Sequence, residues 1–172
     1  MPKIQYCPVC AATLTPRQLP TEDRERLVCS NNTCNYIHYD NPTPVLAAIV
    51  EYEGKILLAR NTLWPPQWFG LITGFLEKNE HPTEGILREV KEETNLDGKV
   101  IELVGLYTFF RMNQLIIAYH VEATGEIILN EELAEYKLVE PQKARPWGSG
   151  TGDALKDWLA KRGIFNEPIQ LG

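Results

Sequence analysis

Four cysteines constrain this chain more than any other feature. Cys7, Cys10, Cys29 and Cys34 all lie in the first fifth of its 172 residues, spaced Cys-x2-Cys, eighteen residues, then Cys-x4-Cys. Two short-spaced pairs on separate knuckles can set four thiolates tetrahedrally around one Zn²⁺. The alternative is four reduced, unrelated thiols. Four protein ligands would leave no open position, so such a zinc would be structural. Residues 1–40 carry little continuous apolar sequence. A unit this short buries too little surface to fold alone, which makes a metal staple reasonable. His38 is surplus to a four-cysteine site and reads as packing.

The N-terminus, from Met1 to Cys7, has no apolar stretch of signal-peptide length. The longest apolar run, Val45–Val50, is far short of the roughly 20 residues that span a bilayer. The expected location is therefore the cytoplasm, with no membrane partner. There, clustered cysteines more often bind metal than form disulfides. The charge sum of −6 argues against sequence-independent DNA binding and weakens an RNA reading, because both depend on neutralising phosphates. A small phosphorylated ligand held by local charges and metal ions stays open.

The length fits one domain plus a small appendage. The expected division is residues 1–40 and residues 41–172, with Asn41-Pro-Thr-Pro44 as an extended boundary. Val45–Glu51 and Lys55–Ala59 flank Tyr52-Glu53-Gly54 and predict a hairpin. Asn61–Phe69 reads as a loop, and Leu71-Ile72-Thr73 as a short strand. Pro82 opens the best helix, which runs to Thr94, with Asn95 as a left-handed stop. Lys99–Tyr107, Leu115–Glu122 and Glu126–Leu129 read as β. A second helix is expected over 152–162, and Gly148-Ser-Gly-Thr-Gly152 before it as a flexible connector. Strands and helices mix without a regular βαβ repeat, which gives an α+β fold.

The first helix carries the chemistry. At 100° per residue, Glu92 and Glu93 fall about 60° and 40° to either side of Glu89. Three carboxylates thus share one stripe, while Leu87, Val90 and Thr94 face elsewhere. A solvated acidic face would account for a bare helix of this kind. Carboxylates in a cluster become favourable around a hard divalent cation such as Mg²⁺. Gly85 lies on the same stripe and would leave room for a ligand.

From Gly74 to Leu96 the chain resembles the Nudix box, G-x5-E-x7-R-E-U-x-E-E-x-G-U with U aliphatic. Gly74, Glu80, Arg88, Glu89, Val90, Glu92, Glu93 and Leu96 match in register, and Asn95 replaces the family glycine. The cysteine unit, Tyr36-Ile-His-Tyr-Asp-Asn-Pro42 and Thr73-Gly-Phe-Leu-Glu77 are similar to the branch of NADH and FAD pyrophosphatases. The resemblance covers most of residues 5–135. It implies a Nudix α/β/α sandwich with a mixed sheet, preceded by a small zinc ribbon. NADH-cleaving members carry S-Q-P-W-P-F-P-x-S downstream of the box. Here Tyr107-Thr-Phe-Phe-Arg-Met-Asn-Gln-Leu115 stands in that region, which argues against NADH as the preferred substrate but not against dinucleotides.

The resemblance implies Mg²⁺- or Mn²⁺-dependent hydrolysis of a nucleoside diphosphate linked to another group, such as FAD, NADH or ADP-ribose. Glu89, Glu92, Glu93 and the Gly74 carbonyl would hold metal, and Arg88 would orient a neighbouring glutamate. Glu131-Glu132-Leu-Ala-Glu135 is the candidate for a further carboxylate, with Glu132 the best match; an acidic surface turn is the other reading. Glu89 and Glu132 are both candidates for the general base. Trp64, Trp68, Phe69, Phe109 and Phe110 could stack on a planar ring, and Arg111 could pair with phosphate. His81 and His120 read as structural. A homodimer is implied by family resemblance alone. Two other functions stay open: a sensor that binds ADP-ribose-like molecules without cleaving them, and processing of capped RNA 5′ ends.

Overall fold

The computed structural model describes residues 4–169. The chain divides into two compact units, Met1–Asn41 and Pro42–Gly172. In the first, strands β1 (Leu14–Gln18), β2 (Glu25–Cys29) and β3 (Ile37–His38) form an antiparallel sheet in that order. The sequence does not announce these strands, because most of their positions are exposed or half-buried and carry no alternating apolar signal. His38 sits beside Tyr36 and Asp40.

The second unit is a mixed six-stranded sheet. Strands β4 (Thr43–Tyr52), β5 (Lys55–Asn61), β6 (Ile72–Phe75), β7 (Asp97–Phe109), β8 (Gln114–Thr124) and β9 (Leu133–Val139) run in the order β7-β8-β4-β5-β9, with β6 also pairing β4. Only β4 and β8 pair in parallel. Helix α1 (Pro82–Thr94) covers one face and α2 (Thr151–Ala160) the other.

The run Val45–Val50 explains this layering. A strand buried on both faces is apolar at every position instead of alternating. Leu46, Ala48 and Val50 pack with Ile86 and Val90 of α1. Ile49, together with Ile56 and Leu58 of β5, packs with Leu155, Trp158 and Leu159 of α2. Each of the Val, Leu and Ile side chains contributes about 1.5–3 kcal/mol by leaving water. The β4–β5 turn uses Glu53 and Gly54, both at positive φ (52° and 72°), as a tight hairpin requires.

His120 is buried at the α2 face. Its Nε2 lies 2.9 Å from Glu51, Arg162 approaches its Nδ1 at 3.4 Å, and its ring edge meets Trp158. The structural reading of this residue fits these contacts.

Four local expectations are corrected. Glu126–Leu129 is not a strand: the Ile128 N–H donates to the Thr94 carbonyl at 3.0 Å and the Asn130 N–H to the Glu93 carbonyl at 3.2 Å. These donors close the end of α1 instead of joining a ladder. Strand β9 falls where the sequence suggests an acidic turn and no strand. It is an edge strand with exposed polar positions, which hides its period. Gly148–Gly152 is no flexible connector. Gly150 caps α2 at φ 61°, and a Cβ on Gly152 would fall 2.0 Å from the Trp147 carbonyl oxygen. The helix itself runs 151–160 rather than 152–162.

Candidate active site

The site is assembled by β6, α1 and the segment that closes α1. Pro82 stands in the first turn of α1, and Asn95 adopts the left-handed stop at φ 61°, ψ 3°. The Asn95 side chain also donates to the Glu126 carbonyl at 3.1 Å. Segment 126–132 is thereby tied to the helix end, and Glu132 arrives beside Glu93.

Arg88 is the hub of the carboxylates. Its Nε and NH2 donate to the two oxygens of Glu80 at 2.7 and 3.1 Å. Its NH1 donates to Glu89 at 2.7 Å and to Glu92 at 3.1 Å. NH2 also reaches the Phe75 carbonyl at 3.3 Å. Glu80 accepts the Glu77 N–H at 3.0 Å as well. The Arg88 hydrogen bond is the main cause that holds the Glu80 carboxyl below its ordinary pKa of 4.5. Sequence reasoning gave Glu80 no role beyond its match to the box. Its position eight residues before Arg88 was the available signal.

Two glycines leave room for this array. A Cβ on Gly74 would lie 1.9 Å from the Glu89 carboxyl carbon, so Glu89 rests directly on the strand. A Cβ on Gly85 would lie 2.6 Å from a Glu80 oxygen and 2.6 Å from Leu46. The room expected at Gly85 is therefore filled by Glu80 and Leu46, not left for a ligand.

Glu89 and Glu93 differ in environment. Burial raises the Glu89 pKa, and Arg88 opposes that rise. Glu93 has no basic partner among the groups that shift it. Burial first, then the negative charges of Glu89, Glu132 and Glu92, push its pKa up to about 8. Such a carboxylate lacks a countercharge, which a divalent cation would supply. Glu93 opens onto a small cleft lined also by Ala59, Asn61, Trp64, Leu71, Thr73, Glu132 and Leu133. Of the three downstream candidates, Glu132 lines this cleft. Glu135 instead accepts from Arg60 Nε at 2.7 Å across β5 and β9, and Glu131 is not among the lining residues.

The ring-stacking candidates separate. Trp64 lines the cleft, whereas Trp68, Phe110 and Arg111 are not among its lining residues. Phe110 and Arg111 occupy a 3₁₀ turn between β7 and β8, with Phe110 88% exposed. Phe69 lies under the Lys137 ammonium, and Phe109 packs in the core beneath α2. Asn61 and Thr73 also line the cleft and have no place among the sequence-derived candidates. Asn61 ends β5 and Thr73 lies within β6, where no composition signal marks a ligand contact.

In the first unit, the four cysteine Sγ atoms lie within 4.8 Å of one another. Cys7 and Cys34 are 3.8 Å apart and Cys10 and Cys29 3.4 Å, far beyond a disulfide bond. Zn–S bonds of about 2.3 Å in a tetrahedron give edges of about 3.8 Å, so the spacing fits that ion. A hydrogen bond from the Ala12 backbone, then Cys29, lowers the Cys10 pKa to about 7, while burial pushes Cys29 up to about 12. Among the described residues no other His, Cys, Asp or Glu group gathers this closely.

A family model of the NUDIX domain matches residues 41–159. The chain belongs to the Nudix family of hydrolases. A second model, described as Nudix N-terminal and built on a zinc ribbon, matches residues 5–40. The chain is 26% identical to an NAD-capped RNA hydrolase NudC of Pseudomonas aeruginosa, over 98% of this chain and 60% of that protein. Identity is 29% to the protein of the same name from Mannheimia succiniciproducens, over 74% of this chain and 49% of that one. The chain thus spans about half to three-fifths of the length of these curated relatives. A solved NUDIX hydrolase from Nitrosomonas europaea superposes with a TM-score of 0.78 at 26% identity, covering 98% of this chain and all of that one. An ADP-ribose pyrophosphatase from Streptococcus suis shares the fold at a TM-score of 0.59 and 19% identity, over 77% of this chain and all of that one. Among the described residues, no helix is long and apolar enough to cross a membrane.

Proposed function

We propose that the chain hydrolyses the pyrophosphate bond of a dinucleotide or of ADP-ribose with Mg²⁺ or Mn²⁺, releasing a nucleoside monophosphate. The observation that carries this reading is Glu93: a half-buried carboxyl with no basic partner among the groups that shift it, beside Glu89, Glu92 and Glu132 at the wall of a cleft. A donor set of carboxylates suits a hard divalent cation, and Glu89, Glu92, Glu93, Glu132 and the Gly74 carbonyl are the groups that would hold it. When bound, such a cation neutralises phosphate charge and acidifies a water. Arg88 fixes Glu89 and Glu92 through its own anchor on Glu80, so their geometry is set before substrate arrives. The side chain that takes the proton from the attacking water is Glu89 or Glu132. The four N-terminal thiolates hold a structural Zn²⁺, with no position left for substrate.

Intact carboxylates favour this reading over a non-catalytic sensor, which has no need of metal ligands. A second substrate class is an NAD-capped RNA 5′ end, favoured by the names of the relatives. Replacement of Glu93 or Glu89 by Gln tests the assignment. Each variant is expected to keep the fold and lose at least ~10²-fold in kcat. Near-normal turnover in both contradicts it.

A further inference from the structure

Five aromatic residues are candidates for contact with the organic part of a substrate, and the fold distinguishes among them. Trp64 lines the same cleft as Glu93 and Glu132 and is 40% exposed, so part of its indole is open. The other four are outside the cleft lining. We propose that Trp64 is the wall on which the cleft stacks a planar heteroaromatic ring of the substrate, a nucleobase, and that Gly70 sets the position of that wall. The inference builds on the reading of the cleft as a nucleotide pyrophosphatase site.

Trp64 is held in place from three sides. Its N–H donates to the Asn61 carbonyl at 3.0 Å, and its own carbonyl accepts from Arg60 NH1 at 3.4 Å. Arg60 is in turn anchored on Glu135 at 2.7 Å. The six-membered edge of the indole lies over Gly70, where a Cβ would fall 3.1 and 3.2 Å from two ring carbons. Gly70 cannot yield, because its N–H and C=O both bond Ala59 at 2.9 Å. An alanine at this position therefore shifts the indole by a few tenths of an ångström. A rigid, partly open aromatic face beside carboxylates suits a ring stack, since every base presents a π-face. Asn61 adds a polar element. Its Oδ1 accepts the Leu63 N–H at 2.9 Å, which leaves the amide NH₂ for an acceptor on the ring edge.

The test is equilibrium binding of AMP and of ribose 5-phosphate, which differ only by the ring, in the zinc-loaded full chain with Mg²⁺. The wild type is expected to prefer AMP by about tenfold or more. Trp64→Ala removes that preference and leaves ribose 5-phosphate binding unchanged, Trp64→Phe retains most of it, and Gly70→Ala weakens AMP alone. If Trp64→Ala does not fold, the Phe and Gly70 variants decide. A wild type without preference for AMP overturns the proposal. So does a Trp64→Ala protein that keeps the preference, or one that loses affinity for both ligands alike. Hydrolysis assays run alongside separate the two readings. Loss of the AMP preference in Trp64→Ala, in a protein that cleaves no pyrophosphate, upholds the stacking wall and refutes the enzymatic reading. Cleavage by a Trp64→Ala protein that keeps the preference refutes the wall alone.

Discussion

Replacing Gly74 by alanine strikes the Glu89 carboxyl first. Gly74 does not have the positive φ that would strain an alanine backbone. The added Cβ would meet the Glu89 carboxyl carbon at 1.9 Å and its oxygens at 2.1 and 2.2 Å. Carbon atoms in ordinary contact stand about 3.5–4.0 Å apart, so the carboxyl has to retreat by about 1.5–2 Å. That movement breaks the 2.7 Å hydrogen bond from Arg88. A misplacement of about 1 Å in a reacting array costs on the order of 10²-fold. The expected loss in kcat is thus ~10²-fold, about 2.7 kcal/mol of barrier. One charge-assisted hydrogen bond is worth about 1.5–3 kcal/mol. That corresponds to a Tm lower by roughly 3–12 °C, so the variant remains folded at assay temperature. Steady-state hydrolysis of ADP-ribose with Mg²⁺, paired with a thermal melt, measures both quantities. A folded Gly74→Ala protein with kcat within about threefold of wild type would refute the role given to the Glu89 position.

Glu93 gives a prediction in pH. Its folded pKa of about 8 lies above the ordinary 4.5, so the folded chain keeps a proton that the unfolded chain gives up. Stability from this group is full below about pH 4.5 and is lost as pH rises through about 8. In Mg²⁺-free buffer Tm falls across that window, Glu93→Gln flattens the fall, and Mg²⁺ raises Tm most at the alkaline end; an unchanged slope in Glu93→Gln counts against the assignment. The thiol cluster predicts about one zinc per chain by elemental analysis. Replacing Cys29 by Ser removes the metal and unfolds the first unit, whereas thiols that titrate freely in the folded, metal-free protein contradict a zinc site.

Elements with a local cause were legible in the sequence. Helix α1 begins at Pro82 and stops at a left-handed Asn95 because both signals act within one turn. Val45–Val50 is apolar throughout because helices cover both faces of β4. Elements that depend on distant partners were not legible. The Glu126–Leu129 segment carries β-like residues, yet the N–H groups of Ile128 and of Asn130 just after it serve the carbonyls at the end of α1. Gly85 looked like room for a ligand because the side chain that fills it, Glu80, comes from the preceding loop. The carboxylate stripe was readable from helical spacing. The partition of its charges was not: Arg88 collects Glu80, Glu89 and Glu92, and Glu93 remains beside Glu132.

The most direct measurement is product identification. The folded, zinc-loaded protein is incubated with ADP-ribose, NADH, NAD, FAD and a dinucleoside polyphosphate, with and without Mg²⁺, and the products are weighed by mass spectrometry. The account predicts a nucleoside monophosphate and a phosphorylated second half from at least one substrate, only when the cation is present. Intact substrates under both conditions, or the same products without any divalent cation, would contradict it.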